Sequence, residues 1–249
     1  MTLPPSLRRC VAALFLLLLA ACGNGSNSAA EDTSGVRERN VGFETADGLT
    51  LTGRLFGSGK VGITLAHMFP ADATSWYPAA ARIAKAGYMT LAFNFRGYGD
   101  SEGEKEIGKA PRDIEAAIAF LRASGARDIA FVGASMGGTA SIIAAETTPA
   151  LAVVTVSAPL RFMGLDAPAV AGRVQRPVLL LAARGDGPAF AAAEELERAL
   201  PNPETKLYDG DAHGTNLLAD RPEAVDEIIT FLRRYAPLDR SLPTSEPEE

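Results

Sequence analysis

Runs of apolar residues and amphipathic stretches alternate along the middle of this chain. Residues 41–45 and 49–56 predict two strands flanking Asp47-Gly48, a dipeptide suited to a tight hairpin turn. The apolar run 61–66 predicts a buried strand, and residues 75–86 have helical spacing. A strand is expected over 88–95, then a helix over 112–123 with Ile114, Ile118 and Leu121 on one face. Residues 129–133 predict a strand that leads directly into a helix over 136–146. Apolar strands at 151–157 and 177–183, a helix at 190–200, a short strand at 205–208 and an amphipathic helix at 222–234 complete the pattern.

A hairpin followed by strand–helix alternation, with continuously apolar strands, predicts an α/β fold: a mostly parallel sheet covered by helices on both faces. Functional sites in such sheets lie outside the carboxyl ends of the strands. Each candidate residue can therefore be tested by asking whether it follows a strand.

The ends of the chain depart from this pattern. Arg8 and Arg9 precede an apolar run over 11–21 that stops at Gly23-Asn24-Gly25-Ser26. A basic start and a short apolar stretch predict an export signal, since crossing a bilayer as a helix takes about 20 apolar residues. Residues 22–39 are small and polar and are expected to form a tether, and 237–249, rich in proline and acids, a loose tail. One domain, 40–236, is expected between them.

Composition narrows the class. With 249 residues, 47% of them hydrophobic, the chain can bury one sizeable core. A net charge of -6 without a Lys/Arg cluster argues against nucleic acid and against electrostatic attachment to anionic lipid. Cys10 and Cys22 are the two cysteines, and Cys10 would leave with the signal. The run Leu19-Ala20-Ala21-Cys22 resembles the lipobox of bacterial lipoproteins. That resemblance implies cleavage before Cys22 and acylation of Cys22, anchoring the protein to a membrane. Gly23 after the cysteine implies sorting to the periplasmic side of an outer membrane where the cell has one.

The chemistry centres on Gly133-Ala134-Ser135-Met136-Gly137, which follows an apolar strand and opens a helix. Such a turn exposes Ser135 at a helix N-terminus, where backbone N–H groups favour developing negative charge. A serine nucleophile needs a base, and His67 and His213 are the two histidines. His213, in a loop after the last short strand, is favoured over His67. Asp186 follows the strand 177–183 and is the favoured acid, with Asp209, Asp211, Asp100 and Asp166 as rivals.

With these residues in place the chain resembles the α/β-hydrolase family, over roughly 43–235. The order Ser135, Asp186, His213 matches that family's nucleophile, acid and histidine. Ala66-His67-Met68-Phe69-Pro70 resembles its oxyanion loop, and Phe95-Arg96-Gly97-Tyr98-Gly99-Asp100-Ser101 a second family loop. The resemblance implies oxyanion N–H donors from Met136 and from Phe69 or Met68, with His67 and Arg96 bracing loops. Met68 departs from the family's usual glycine, which leaves the second donor open.

Only residues 158–176 separate the strands at 151–157 and 177–183, too few for a large cap. Met68, Phe69, Trp76, Phe162 and Met163 are possible lining for an apolar acyl group. Gly57-Ser58-Gly59-Lys60 fails the phosphate-loop spacing, because Arg54 and Val61 stand at its key positions. No metal or cofactor is expected. The expected activity is hydrolysis of small acyl esters through an acyl-enzyme. The same triad could serve thioesters, lactones or acyl transfer, and a non-catalytic lipoprotein scaffold is the alternative of a different class.

Overall fold

The computed structural model describes residues 35–239. The expected signal, Cys22, most of the tether and residues 240–249 lie outside them. Within them, β1 (Glu38–Glu44) and β2 (Thr50–Phe56) pair antiparallel, with Val41 opposite Gly53. The turn is tied by Thr45, whose carbonyl accepts from Gly48 N–H at 3.0 Å and whose hydroxyl accepts from Leu49 N–H at 3.0 Å. β1 thus begins slightly before the domain start expected from the sequence.

From there strands and helices alternate. β3 (Val61–Ala66) leads through one 3-10 turn (Ala73–Trp76) to α1 (Tyr77–Lys85), and β4 (Met89–Phe93) to α2 (Ala110–Ala123). The expected start of α1 at Ser75 is displaced because Asp72 caps the 3-10 turn, accepting from Thr74 N–H at 2.9 Å. Pro78, which has no N–H to offer, then sits in the first turn of α1, where none is needed. β5 (Asp128–Ala134), α3 (Met136–Thr147) and β6 (Val153–Val156) follow. Next come a small hairpin, β7 (Arg161–Phe162) with β8 (Leu165–Asp166), and one helical turn, α4 (Pro168–Ala171). The chain closes with β9 (Val178–Ala183), α5 (Gly187–Ala199), β10 (Pro203–Tyr208), α6 (Thr215–Asp220) and α7 (Glu223–Tyr235).

The sheet has eight strands in the order β1-β2-β4-β3-β5-β6-β9-β10, parallel from β4 to β10. Alternate residues of each strand feed opposite faces. In β5, Ile129 and Phe131 join the core under α2 and α3, and Ala130, Val132 and Ala134 the core under α1 and α7. The path from β3 goes outward to β4, whereas β5 returns to the other side of β3. That reversal opens a crevice at the carboxyl ends of β3 and β5. The residues there are His67–Phe69 and Ser135.

Candidate active site

Ser135 links β5 to α3 with φ 48° and ψ -118°, a conformation that side-chain-bearing residues rarely adopt. Its neighbours explain how the turn can be held. A Cβ on Gly133 would strike the carbonyl of Gly137, and one on Gly137 would strike the carbonyl of Ala66. Any larger residue at either position would push α3 off the strands. The Ser135 N–H donates to Val156 O at 2.8 Å, which leaves the hydroxyl facing the crevice.

His213 and Asp186 meet that hydroxyl. Ser135 Oγ lies 2.8 Å from His213 Nε2, and Asp186 Oδ2 lies 2.6 Å from His213 Nδ1. With Nδ1–H donating to the carboxylate, Nε2 is free to accept from the serine. Asp186 holds its place because it caps α5, accepting through its carbonyl from Phe190 N–H at 2.7 Å. The rival acids are spent elsewhere or turned outward. Asp166 pairs with Arg161 at 3.0 Å, Asp209 is 91% exposed, and Asp211 and Asp100 are exposed.

His67 has a different place. It is fully buried, its Nδ1–H donating to Met68 O at 3.0 Å and its Nε2 accepting from Phe95 N–H at 3.2 Å. It ties the loop after β3 to the loop after β4. Burial lowers its pKa from 6.5 to about 4, assisted by Lys105 and opposed by the bond to Met68 and by Asp72. Above pH 6.5 the ring is neutral whether the chain is folded or not, and its contribution to stability is complete. Between 6.5 and 4 the unfolded chain takes up a proton that the folded one refuses, and about 3 kcal/mol is lost. His67→Gln keeps one donor and one acceptor without titrating. Denaturant unfolding should show the wild type losing stability faster than this variant as pH falls from 6.5 to 4, and parallel losses would exclude His67 as the cause.

Another wall of the crevice is the loop Met68-Phe69. Among the described residues, the backbone N–H groups of Phe69 and Met136 donate to no carbonyl. The contact of Gly137 with the Ala66 and His67 backbone sets this loop beside the first turn of α3. Met68 takes no left-handed backbone: among the described residues, positive φ outside glycine occurs at Ser135, Ser157 and Met163. Its side chain lies instead on Gly214, where a Cβ would meet Met68 Sδ at 2.5 Å, and beside Thr215 Oγ1 at 3.6 Å. The residue that replaces the usual glycine is thus accommodated by a glycine next to His213.

Over the crevice stands the β7–β8 hairpin. Phe69 (42% exposed) and Phe162 approach to 5.6 Å between ring centres, and Met163 at the hairpin tip is 65% exposed. Trp76, expected as lining, is not part of this wall. It is fully buried, donating from Nε1 to Ala66 O at 3.0 Å, and supports β3 from within the core.

Arg96 also braces rather than faces the crevice. Its Nε and Nη2 donate to Asp113 Oδ1 at 2.9 and 2.6 Å, and its backbone N–H to Asp113 Oδ2 at 3.0 Å. Nη1 and Nη2 reach Asp47 of the β1–β2 turn at 2.8 and 3.2 Å, holding that carboxyl well below its usual range. Arg96 and Asp113 are both buried, and sequence reading gave no sign of this partnership. Among the described residues no group of three or more His, Cys, Asp or Glu side chains could share a metal ion.

Comparison with known proteins places this geometry in context. The sequence pattern described as alpha/beta hydrolase fold matches residues 63–192. Over 84 residues the chain is 34% identical to bifunctional epoxide hydrolase 2 of Rattus norvegicus, a stretch covering 33% of this chain and 15% of that protein. An esterase of Pyrococcus furiosus superposes with a TM-score of 0.69 at 20% identity, covering 81% of this chain and 92% of the other. An alpha/beta hydrolase of Penicillium reaches 0.71 at 16% identity, covering 80% and 99%. At such identities the likeness is one of fold.

Proposed function

The chain belongs to the alpha/beta hydrolase fold family, and on that premise we propose that it is a serine hydrolase cleaving carboxylic esters through an acyl-enzyme. The observation that carries this reading is the relay Ser135–His213–Asp186, with contacts of 2.8 and 2.6 Å. Ser135 Oγ attacks the ester carbonyl as its proton passes to His213 Nε2. The N–H groups of Met136 and Phe69 receive the oxyanion. Collapse breaks the bond to the alcohol, which leaves with the proton from His213. Water then gives a proton to His213 and attacks the acyl-serine, and the acid is released as Ser135 regains its hydrogen. The likeness in fold to the Pyrococcus esterase supports the same reading. Phe69, Phe162 and Met163 suit an apolar acyl group. The test is labelling by a fluorophosphonate, which should modify Ser135 alone. Parallel ester, thioester and lactone panels then rank the bond cleaved.

We propose further that Cys22 carries lipid and holds the domain to a bacterial membrane. The support is the run Leu19-Ala20-Ala21-Cys22 behind a basic, apolar segment. Radiolabelled palmitate should enter the wild-type protein and not Cys22→Ser, and equal labelling of both would refute the assignment.

A further inference from the structure

A groove of about 260 Å³ runs between α1 and the α6–α7 pair. Pro78, Ala79, Leu218, Pro222 and Val225 give it apolar walls. The polar side chains that line it are already committed. Ser75 Oγ donates to Asp72 O at 2.8 Å, and Thr215 Oγ1 to Met68 Sδ at 3.6 Å. Arg82 turns its guanidinium onto Pro222 O at 2.7 Å and Asp226 Oδ1 at 2.6 Å, so its charge is spent within the protein. Such a lining suits a hydrocarbon, and an apolar cavity of about 150 Å³ already holds a benzene ring. From Ser75 to Arg82 the groove follows roughly two helical turns, or about 10 Å.

One end of the groove adjoins the catalytic loop. Thr215, two residues after His213, is part of the groove wall and touches Met68. Met68 also covers Gly214, its Sδ 2.5 Å from where a Cβ there would stand. Met68 thus lies on both residues that join His213 to the groove. In the mechanism above the departing alcohol takes its proton from His213 Nε2, so its oxygen must come within hydrogen-bond reach of that atom. The acyl carbon is on Ser135, with Phe69, Phe162 and Met163 for its chain. The alkyl part of the alcohol is therefore the part directed to the His213 side, toward Met68 and Gly214.

We propose that the groove binds the alkyl chain of the substrate's alcohol, with Met68 as the gate at its mouth. The inference rests on the serine hydrolase reading and adds a substrate class, esters of medium-chain alcohols. Methionine, unbranched and with several rotatable bonds, can swing aside where a branched side chain could not.

The test compares kcat/KM across alkyl acetates from ethyl to octyl and across ethyl esters from acetate to octanoate, with fluorophosphonate labelling of Ser135 in each protein. In the wild type the alkyl series should rise about two- to fourfold for each methylene that enters the groove. Ala219, exposed in the groove wall, has room for a larger side chain outside the core. Ala219→Phe should lower the octyl-to-ethyl ratio of the alkyl series about tenfold or more and leave the slope of the acyl series as it is. A folding defect would instead lower both esters and leave their ratio alone. Met68→Ala should raise the same ratio about threefold, equivalent to one more methylene admitted, and adding Ala219→Phe should cancel the gain. A ratio that Ala219→Phe does not lower, or an acyl series flattened in its place, would overturn the proposal, and a ratio unmoved by Met68→Ala would overturn the gate. Wild-type protein that neither labels nor cleaves any ester would overturn the hydrolase reading and this inference with it; labelling and cleavage with a flat alkyl series would remove this inference alone.

Discussion

Ser135→Ala is expected to lower kcat on p-nitrophenyl acetate by about 10⁴-fold or more and to abolish fluorophosphonate labelling, with the fold intact by circular dichroism. The magnitude follows from the geometry. On the proposed mechanism, removing Oγ removes the atom, 2.8 Å from His213 Nε2, that forms the acyl bond. His213→Ala should cost about as much, and the double variant little more than either, because the groups act as one unit. Additive losses would mean that serine and histidine work separately. Turnover by Ser135→Ala at the wild-type rate would refute the assignment.

The second large effect is on stability. Arg96→Met should destabilise the fold by about 3–5 kcal/mol, a fall in Tm on the order of 10 °C. The loss comes from what remains: Asp113, fully buried, would keep the backbone N–H of residue 96 on Oδ2 but lose both side-chain donors, Nε and Nη2, on Oδ1. The double variant Arg96→Met/Asp113→Leu, with no stranded carboxylate, should recover much of that loss. Denaturant titration of the three proteins decides. A single variant within about 1 kcal/mol of wild type would show that the pair is not what joins the β1–β2 turn to α2.

Most of the sheet was legible because its signals are local. Buried strands read as continuous apolar runs, and the Asp47-Gly48 turn and the glycines around Ser135 are set by their immediate neighbours. Asp186 was legible by position, since it follows a strand. What escaped carries no such local signal. The β7–β8 hairpin has strands of two residues each, too short for any periodicity. Arg96 and Asp113 are 17 residues apart and looked like ordinary charged positions. Trp76 was misplaced because an aromatic residue near a site carries no mark of which way it points. The oddity of Met68 is resolved only across the fold, by Gly214 making room for its sulfur.

The exposure of His213 bears on how such an intermediate would partition. Its side chain is 42% exposed, and the segment after β6 carries a hairpin of only six residues, 161–166. Enzymes that pass an acyl group to an alcohol or amine must keep the solvent away while the acceptor arrives. Here His213, the base of the proposed relay, is open to solvent. On the proposed mechanism, an acyl group on Ser135 would meet solvent water as its ready acceptor, which favours free acid over a transferred product.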